Sequence, residues 1–403
     1  MSTPHRHAPA APPFALPDLD GLELARLRRR RSEKWGTYPT DVLPAWVAEM
    51  DYPLAEPIRR VLEDALAYDD LGYPVNPRPQ DLPTVFAARM AERFGWRIDP
   101  QRVDVLTDVV QGIYVAIDRF SAPGEGVVVQ TPVYPPFLHA VRDLGRRMVE
   151  NPLVRGAERD ELDLDGLRAA LDPATRVLLL CNPQNPTGRV FERRELEALA
   201  EIALRHDLVV VSDEIHADLA HPPHQHVPFA TLAPEVEART ITLTSATKAF
   251  NIPGLRCAVA HFGSAELQRR FRSLPRHVRG GLGLLGLAAT AAAWTECQPW
   301  LDHVLRYLDG NRALLAERVR SALPGVVHWS PEASYLAWLD CRALDLGPSP
   351  QRFFLEHAKV ALSPGEAFGK PGEGFVRLNF ATSRALLEEI LGRMERALRE
   401  RRA

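Results

Sequence analysis

The amino-acid sequence predicts an α/β fold: a large domain whose mostly parallel sheet is covered by helices on both faces, joined to a smaller α+β domain. Three observations carry that expectation. Between about residues 55 and 295, helical spacing of apolar residues alternates with short, continuous apolar runs rich in β-branched residues. That is the pattern of strands buried on both faces. Several of these runs turn polar abruptly at their C-terminal ends, in "LLLCNPQNPTG", "VVVSDEIH" and "TLTSATK". After residue 295 the alternation gives way to one long helical segment, followed by strands and helices in mixed order, which reads as α+β.

Taken in order, residues 1–17, "MSTPHRHAPAAPPFALP", are rich in Pro and Ala without an apolar export core, so a disordered tail is expected there. Residues 18–54 are expected to form an N-terminal arm that belongs partly to the small domain. This arm contains the only dense charge run, "RLRRRRSEKW" (26–35). It reads as a solvated helix end or an arm on a partner subunit in preference to a nucleic-acid patch. The large domain is expected over 55–295. It opens with two amphipathic helical segments, "EPIRRVLEDALAY" and "LPTVFAARMAERFG". Strand candidates follow at "GVVVQTP" (126–132), "RVLLLCNP" (176–183), "DLVVVSDE" (207–214), "RTITLTSAT" (239–247) and "RCAVAHFG" (256–263). Helical stretches such as "ERRELEALAEIALRH" separate several of them. The small domain, 296–403, starts with the long helix "QPWLDHVLRYLDGNRALLAERVRSAL" and continues through "VVHWS", "SYLAWLDC" and "FVRLNFAT".

Composition narrows the function classes. A chain of 403 residues exceeds what one core usually supports. At 46% apolar and 25% charged it has ample material for two cores. A net charge of −3 argues against a nucleic-acid or membrane-surface role. No apolar run approaches spanning length. The cysteines at 181, 257, 297 and 341 form no CxxC pair, the pattern of a reduced, cytoplasmic protein. Cys181 and Cys257 flank polar motifs and read as packing residues. The irregular histidines of "HPPHQH" (221–226) read as a surface loop, with no metal expected.

The polar strand ends suggest a site. In open α/β sheets ligands lie beyond the carboxyl ends of strands, so Asn182, Asn185, Asp213, His216, Ser245, Thr247 and Lys248 are expected to converge. Singly each has a bland reading: an aspartate there often caps a helix, and "NPQNPTG" alone is a turn. Lysine, however, occurs only at 34, 248, 359 and 370; elsewhere arginine supplies positive charge. Lys248 follows an apolar strand and precedes Arg256 by eight residues. An aspartate, an asparagine, hydroxyls, a lysine and an arginine together suit pyridoxal 5'-phosphate: an acid for the ring nitrogen, an amine for the aldehyde, hydroxyls and a cation for the phosphate. Arginine stays protonated, so only lysine can bond the aldehyde and act as a base.

With those residues in view, the sequence resembles the fold-type I pyridoxal-phosphate enzymes of the class I/II aminotransferase group, most of all the MalY/PatB-type cystathionine β-lyase-like C–S lyases. The resemblance covers roughly residues 30–400. It rests on "KWGTYPTDVLPAWVAEMDYPLAEPI", "NPQNPTGRVF", "SDEIHADL", "SATKAFNIPGLRCA", "SYLAWLD" and "VALSPGEAFGKPGEGFVRLNFAT". It implies that Lys248 bonds the cofactor and moves the substrate's Cα proton. Asp213 would face the ring nitrogen, Asn185 and His216 the ring hydroxyl, and Tyr134 the ring face. The phosphate would fall to Ser245, Thr247, Arg256, the backbone amides of Ile113 and Tyr114, and Tyr73 from a neighbouring subunit of a homodimer. Arg377 would clamp the substrate carboxylate, near Asn185. The family's "VADMD" reads "VAEMD" here, with Glu49. "NPRPQDLP" and "RHVRGGLGLLGLAAT" are unusually rich in proline and glycine and are expected near the substrate entrance.

Three functions follow from this reading. The first is a C–S β-lyase acting on an S-substituted L-cysteine, giving thiol, pyruvate and ammonia. The second is an aminotransferase or a specialised-pathway tailoring enzyme on the same cofactor. The third is a non-catalytic regulator, for which the residues before the match are too few to form a DNA-binding module.

Overall fold

The computed structural model describes residues 13–74, 82–347 and 349–402. Its centre is a seven-stranded sheet built from β1 (Val103–Leu106), β2 (Gly126–Thr131), β3 (Arg147–Pro152), β4 (Thr175–Cys181), β5 (Val209–Asp213), β6 (Thr240–Thr244) and β7 (Ala258–Phe262), in the order β1-β7-β6-β5-β4-β2-β3. All neighbours are parallel except β7, which runs antiparallel to both β1 and β6.

Successive residues of the central strands feed opposite faces, as the two-residue period requires. Val127, Val129, Val177, Leu179 and Val211 join one core; Val128, Leu178, Leu180 and Val210 join the other. Helices α1 (Val109–Phe120), α2 (Pro135–Asp143) and α4 (Ala265–Arg272) cover the first face, and α3 (Arg193–Arg205) covers the second. Each fully buried Val or Leu contributes about 1.5–3 kcal/mol relative to exposure. Gly112 lets α1 pack against the sheet: a Cβ there would meet the Leu106 and Leu243 side chains at 2.9 Å.

The outer strands β1 and β3 were not anticipated. "VDVL" carries Asp104, and in "RMVENP" several side chains are exposed, so neither gives the continuous apolar run that marks an inner strand.

The second sheet joins β8 (Val327–His328), β9 (Leu336–Asp340), β10 (Ser363–Pro364) and β11 (Phe375–Asn379) antiparallel, in the order β8-β9-β11-β10. α5 (Gln298–Ala322) and α6 (Arg384–Arg402) pack beside it. Leu43–Pro44 pairs in parallel with Val360–Ala361, tying the N-terminal arm to this region.

Three expectations need correction. Residues 13–17 are not a free tail: Phe14 and Leu16 pack on the core, and the Pro17 carbonyl accepts from His303. The rest of that segment, 1–12, lies outside the described residues. Second, the arginine-rich run is not merely solvated. Arg30 donates to the Met50 and Asp51 carbonyls, Ser32 to Glu49, and Trp35 Nε1 to Asp51 at 2.7 Å. Lys34 Nζ lies 2.9 Å from Asp51 Oδ2, with both side chains buried. Third, "HPPHQH" is a surface loop only in its middle, where Pro222, Pro223 and Gln225 are exposed: His221 Nε2 donates to the Ser334 carbonyl at 2.7 Å, and His226 Nε2 lies 2.8 Å from the buried Glu214 carboxylate. Among the described residues no cluster of three His, Cys, Asp or Glu has metal-site geometry. None of their helices is long and apolar enough to cross a membrane.

Candidate active site

Beyond the carboxyl ends of β4, β5 and β6 lies a cavity of about 560 Å³, lined among others by Asn185, Asp213, His216, Thr247, Lys248 and Arg256. Parallel pairing sets this convergence. Cys181 lies opposite Asp213, and Asp213 opposite Leu243, so the three strands end almost level. The loops that leave them open on the same side.

Lys248 follows β6 in a tight turn, and its Nζ donates to the Ala48 carbonyl at 3.0 Å. Burial, reinforced by Arg377, lowers its pKa to about 8. Asn251, three residues on, adopts a left-handed φ of 57°, a conformation asparagine tolerates well. Its side chain bonds both the N–H and the C=O of Met50. The lysine turn is thereby fastened to the "VAEMD" segment.

Asp213 ends β5, 5% exposed. One carboxylate oxygen accepts from the Ile215 amide at 3.0 Å, and burial raises its pKa to about 7. His216 is buried with Nδ1 unpaired, and burial first, then Lys248 and Arg377, lowers its pKa to about 3. It is a neutral imidazole at working pH. Tyr134 precedes α2 and lines the same cavity, and burial raises its phenol.

The α1 end of the cavity departs from expectation. Asp108 caps α1, accepting from the Gln111 amide at 2.8 Å, and Gly112 N–H already bonds the Asp108 carbonyl. The helix therefore starts at Val109, and the unpaired first-turn amides are those of Val109 and Val110. Ile113 and Tyr114 fall a turn further in, within the ladder, so their amides are not available to an anion. The Ile113 side chain packs in the core, while Tyr114 lines the cavity and its hydroxyl donates to Asp143 at 2.5 Å. The sequence signal for the true start was the aspartate of "TDVVQG", a capping residue three positions before Gln111.

Arg256 ends a short turn with φ 46° and pairs with Asp108 beside these amides. Ser245 donates to the Cys257 carbonyl at 2.5 Å and lies 2.9 Å from the Thr247 hydroxyl. Thr247 lines the cavity; Ser245 supports it from outside the lining. Tyr73 is fully exposed and does not line this cavity.

A second chamber of about 520 Å³ adjoins the first, sharing Ala48, Tyr134, Lys248 and Pro253. Arg377, on β11, is 5% exposed in its wall. Its two terminal nitrogens donate to Asn185 Oδ1 at 2.9 Å, the Trp46 carbonyl at 3.0 Å and Ser363 Oγ at 3.1 Å, and Nε has no partner among the described residues. Burial lowers its pKa to about 10, still charged at neutral pH. Tyr335, in "SYLAWLD", was not singled out beforehand. It is fully buried and donates to the same Ala48 carbonyl as Lys248, at 3.1 Å. The glycine-rich stretch lies elsewhere than the Arg377 chamber: Val278 and Gly281 carbonyls accept from Gln111 and Thr107, beside the start of α1. Of "NPRPQDLP", residues 76–81 lie outside the described residues.

The donor set fits pyridoxal phosphate on the structure's own terms. A carboxylate whose pKa burial raises, as at Asp213, suits a protonated ring nitrogen. An unpaired imidazole nitrogen, a buried amine, and first-turn amides next to an arginine complete the complement. The fold and this site define a pyridoxal-phosphate enzyme. The profile of the family described as "Aminotransferase class I and II" matches residues 52–394, and the chain belongs to that family.

Two curated relatives and one solved structure illustrate the likeness. Cystathionine beta-lyase PatB of Bacillus subtilis is 37% identical over 362 residues, 89% of this chain and 93% of the relative. Protein MalY of Escherichia coli is 33% identical over 377 residues, 91% and 94% of the two chains. The crystal structure of OvoB superposes with a TM-score of 0.89 at 40% identity, covering 95% of this chain and 99% of the other.

Proposed function

We propose that the enzyme is a cystathionine β-lyase-like C–S lyase that cleaves the Cβ–S bond of an S-substituted L-cysteine, releasing a thiol, pyruvate and ammonia. The observation that carries this reading is the position of Lys248. It is shared by the chamber that fits the cofactor and the chamber that holds Arg377, so its amine meets both cofactor and substrate. The relatives named cystathionine beta-lyase support a C–S bond as the one broken.

Pyridoxal phosphate, when bound, supplies an electron sink for the charge left at the substrate's Cα. The chain's residues do the rest. Arg377 takes the α-carboxylate and fixes which Cα bond faces Lys248, with Asn185, Trp46 and Ser363 holding the guanidinium in place. Lys248 removes the Cα proton and delivers it to the departing sulfur, a good leaving group as thiolate. Asp213 would hold a proton at the ring nitrogen. Asn185 and His216 would bond the ring hydroxyl, and Tyr134 would cover the ring face. Thr247 (supported by Ser245), Arg256 and the amides of Val109 and Val110 would bind the phosphate. Addition of water to the three-carbon remainder gives pyruvate and ammonia.

A homodimer with shared active sites is part of the reading. Tyr73 ends a stretch in which Leu66, Tyr68 and Leu71 are also largely exposed, a surface suited to cover by a second copy. Tyr73 from that copy would reach the phosphate. A cytoplasmic location suits four cysteines that are all free and buried.

The experiment is chemical rescue. Lys248→Ala should lose thiol release by about 10²–10⁴-fold, and a small primary amine should restore part of it in proportion to its concentration. Thiol release by Lys248→Ala at the parent rate, without amine, would remove Lys248 from the reaction.

A further inference from the structure

Two buried side chains converge on one backbone oxygen beside the reacting centre. The Ala48 carbonyl accepts from Lys248 Nζ at 3.0 Å and from Tyr335 Oη at 3.1 Å. Ala48 borders both chambers, whereas Tyr335 lines neither. Apart from an edge-on approach of its ring to His216, with centroids 6.4 Å apart, Tyr335 acts on the site through that oxygen.

Both ends of the contact are held in place. Asn379 donates to the carbonyls of Val47 and Glu49 at 2.6 and 2.7 Å, which fixes the peptide groups on either side of Ala48. The turn that leads into Tyr335 is docked on the large domain. There the Glu332 and Ala333 amides donate to the Gly188 carbonyl and the Ser334 amide to the Leu219 carbonyl, each at 2.9 Å. His221 donates to the Ser334 carbonyl. Ser334 is left at a left-handed φ of 74°, which a serine keeps only when its surroundings over-determine it. The phenol is thus delivered to Ala48 by a turn with little freedom to move. Burial pushes its ionisation well above the ordinary phenol range, so it stays a donor at working pH.

A carbonyl oxygen has two lone pairs. With the phenol on one, the lysine has a single direction left in which to rest. Donation by the phenol also draws electron density from the oxygen. An ammonium loses more by this than a neutral amine does, because charge-assisted bonds are the stronger. We propose that Tyr335 is a positioning residue for Lys248: its hydrogen bond to the Ala48 carbonyl aims the amine and favours the neutral form that bonds an aldehyde and takes the Cα proton. This rests on Lys248 as the base of the proposed reaction, and not on which bond breaks afterwards. Arg377, Asp213, Glu49 and Glu33 also act on the Lys248 charge, and His216 and Tyr134 share its lining.

Three full-length proteins separate this role from a structural one: the parent, Tyr335→Phe, and a protein with 3-fluorotyrosine in place of Tyr335. Phenylalanine removes the donor, and fluorination strengthens it with little change of shape. Pyridoxal-phosphate uptake by the cofactor-free proteins is followed against pH by stopped-flow absorbance. Tyr335→Phe should raise the midpoint by about 0.5–1 pH unit, the worth of one net hydrogen bond expressed as proton affinity. The fluorinated protein should have a lower midpoint than the parent. The other groups that face Lys248 are common to all three and cancel in the comparison. In the holoenzymes, exchange of the Cα hydrogen of L-alanine for deuterium isolates proton transfer, since alanine has no leaving group on Cβ. At pH 7 that exchange should be about threefold to tenfold slower in Tyr335→Phe and recover at higher pH. Coincident midpoints, or displacement in the same direction by both replacements, would overturn the proposal. If Tyr335→Phe does not fold, the fluorinated protein decides: a midpoint at or above the parent's overturns it. If the opposed shifts hold while no S-substituted cysteine releases thiol, the lyase reading fails and the role of Tyr335 stands.

Discussion

Lys248 is one of four lysines in a chain that otherwise uses arginine, and its surroundings explain the exception. Burial beside Arg377 lowers its pKa to about 8, which brings the neutral amine within reach of physiological pH. The sign of the pH dependence follows. Below pH 8 the amine of the cofactor-free chain is protonated and unreactive toward an aldehyde; above it the amine is free. The rate of pyridoxal-phosphate uptake by the cofactor-free protein should therefore rise with pH and level off just above 8. Stopped-flow absorbance would show this, whereas a rate still climbing near pH 10 would describe an ordinary, exposed lysine. The residues of this site were legible because Asp213, Asn185, His216 and Lys248 interrupt apolar strands at their ends. Tyr335 and the Ala48 carbonyl were not. One sits inside an apolar strand-like run, and the other is a backbone atom that no side-chain pattern reports.

Among the elements, the "VAEMD" segment does the most to join the molecule's parts. Asn251 bonds Met50, Asn379 donates to the carbonyls of Val47 and Glu49, and Lys34 and Trp35 bind Asp51. The buried Lys34–Asp51 pair is vulnerable to loss of one partner, because without Lys34 the Asp51 carboxylate keeps only the Trp35 N–H and Arg30 at 3.9 Å. Lys34→Ala should lower unfolding stability by about 3 kcal/mol, measured by urea denaturation of the holoenzyme; a change within the range of surface substitutions would show that water relieves Asp51. The inner strands could be read from continuous apolar runs, since both faces are covered. β1 and β3 could not, because edge strands with Asp104 or exposed polar residues lose that signal. The start of α1 was misplaced by one turn because "QGIYVAI" has the stronger apolar pattern, whereas the cap at Asp108 is a single polar residue.

At the scale of the whole molecule, the two chambers share Lys248, and Tyr73 is left outside both. If Tyr73 serves the neighbouring subunit, Tyr73→Phe and Lys248→Ala lie in different sites of a mixed dimer. Co-refolding the two variants should then recover activity that neither has alone, up to about one intact site per hybrid. Activity no higher than the average of the two would place Tyr73 in its own subunit's site or in none. The central claim is that the assembled enzyme eliminates thiol instead of exchanging amino groups. It is tested most directly by counting products from an S-substituted L-cysteine with no keto acid present. Thiol and pyruvate should accumulate in equal amounts through many turnovers per site. Product that stops at one equivalent per site, resumes only when a keto acid is added and includes no thiol would contradict it.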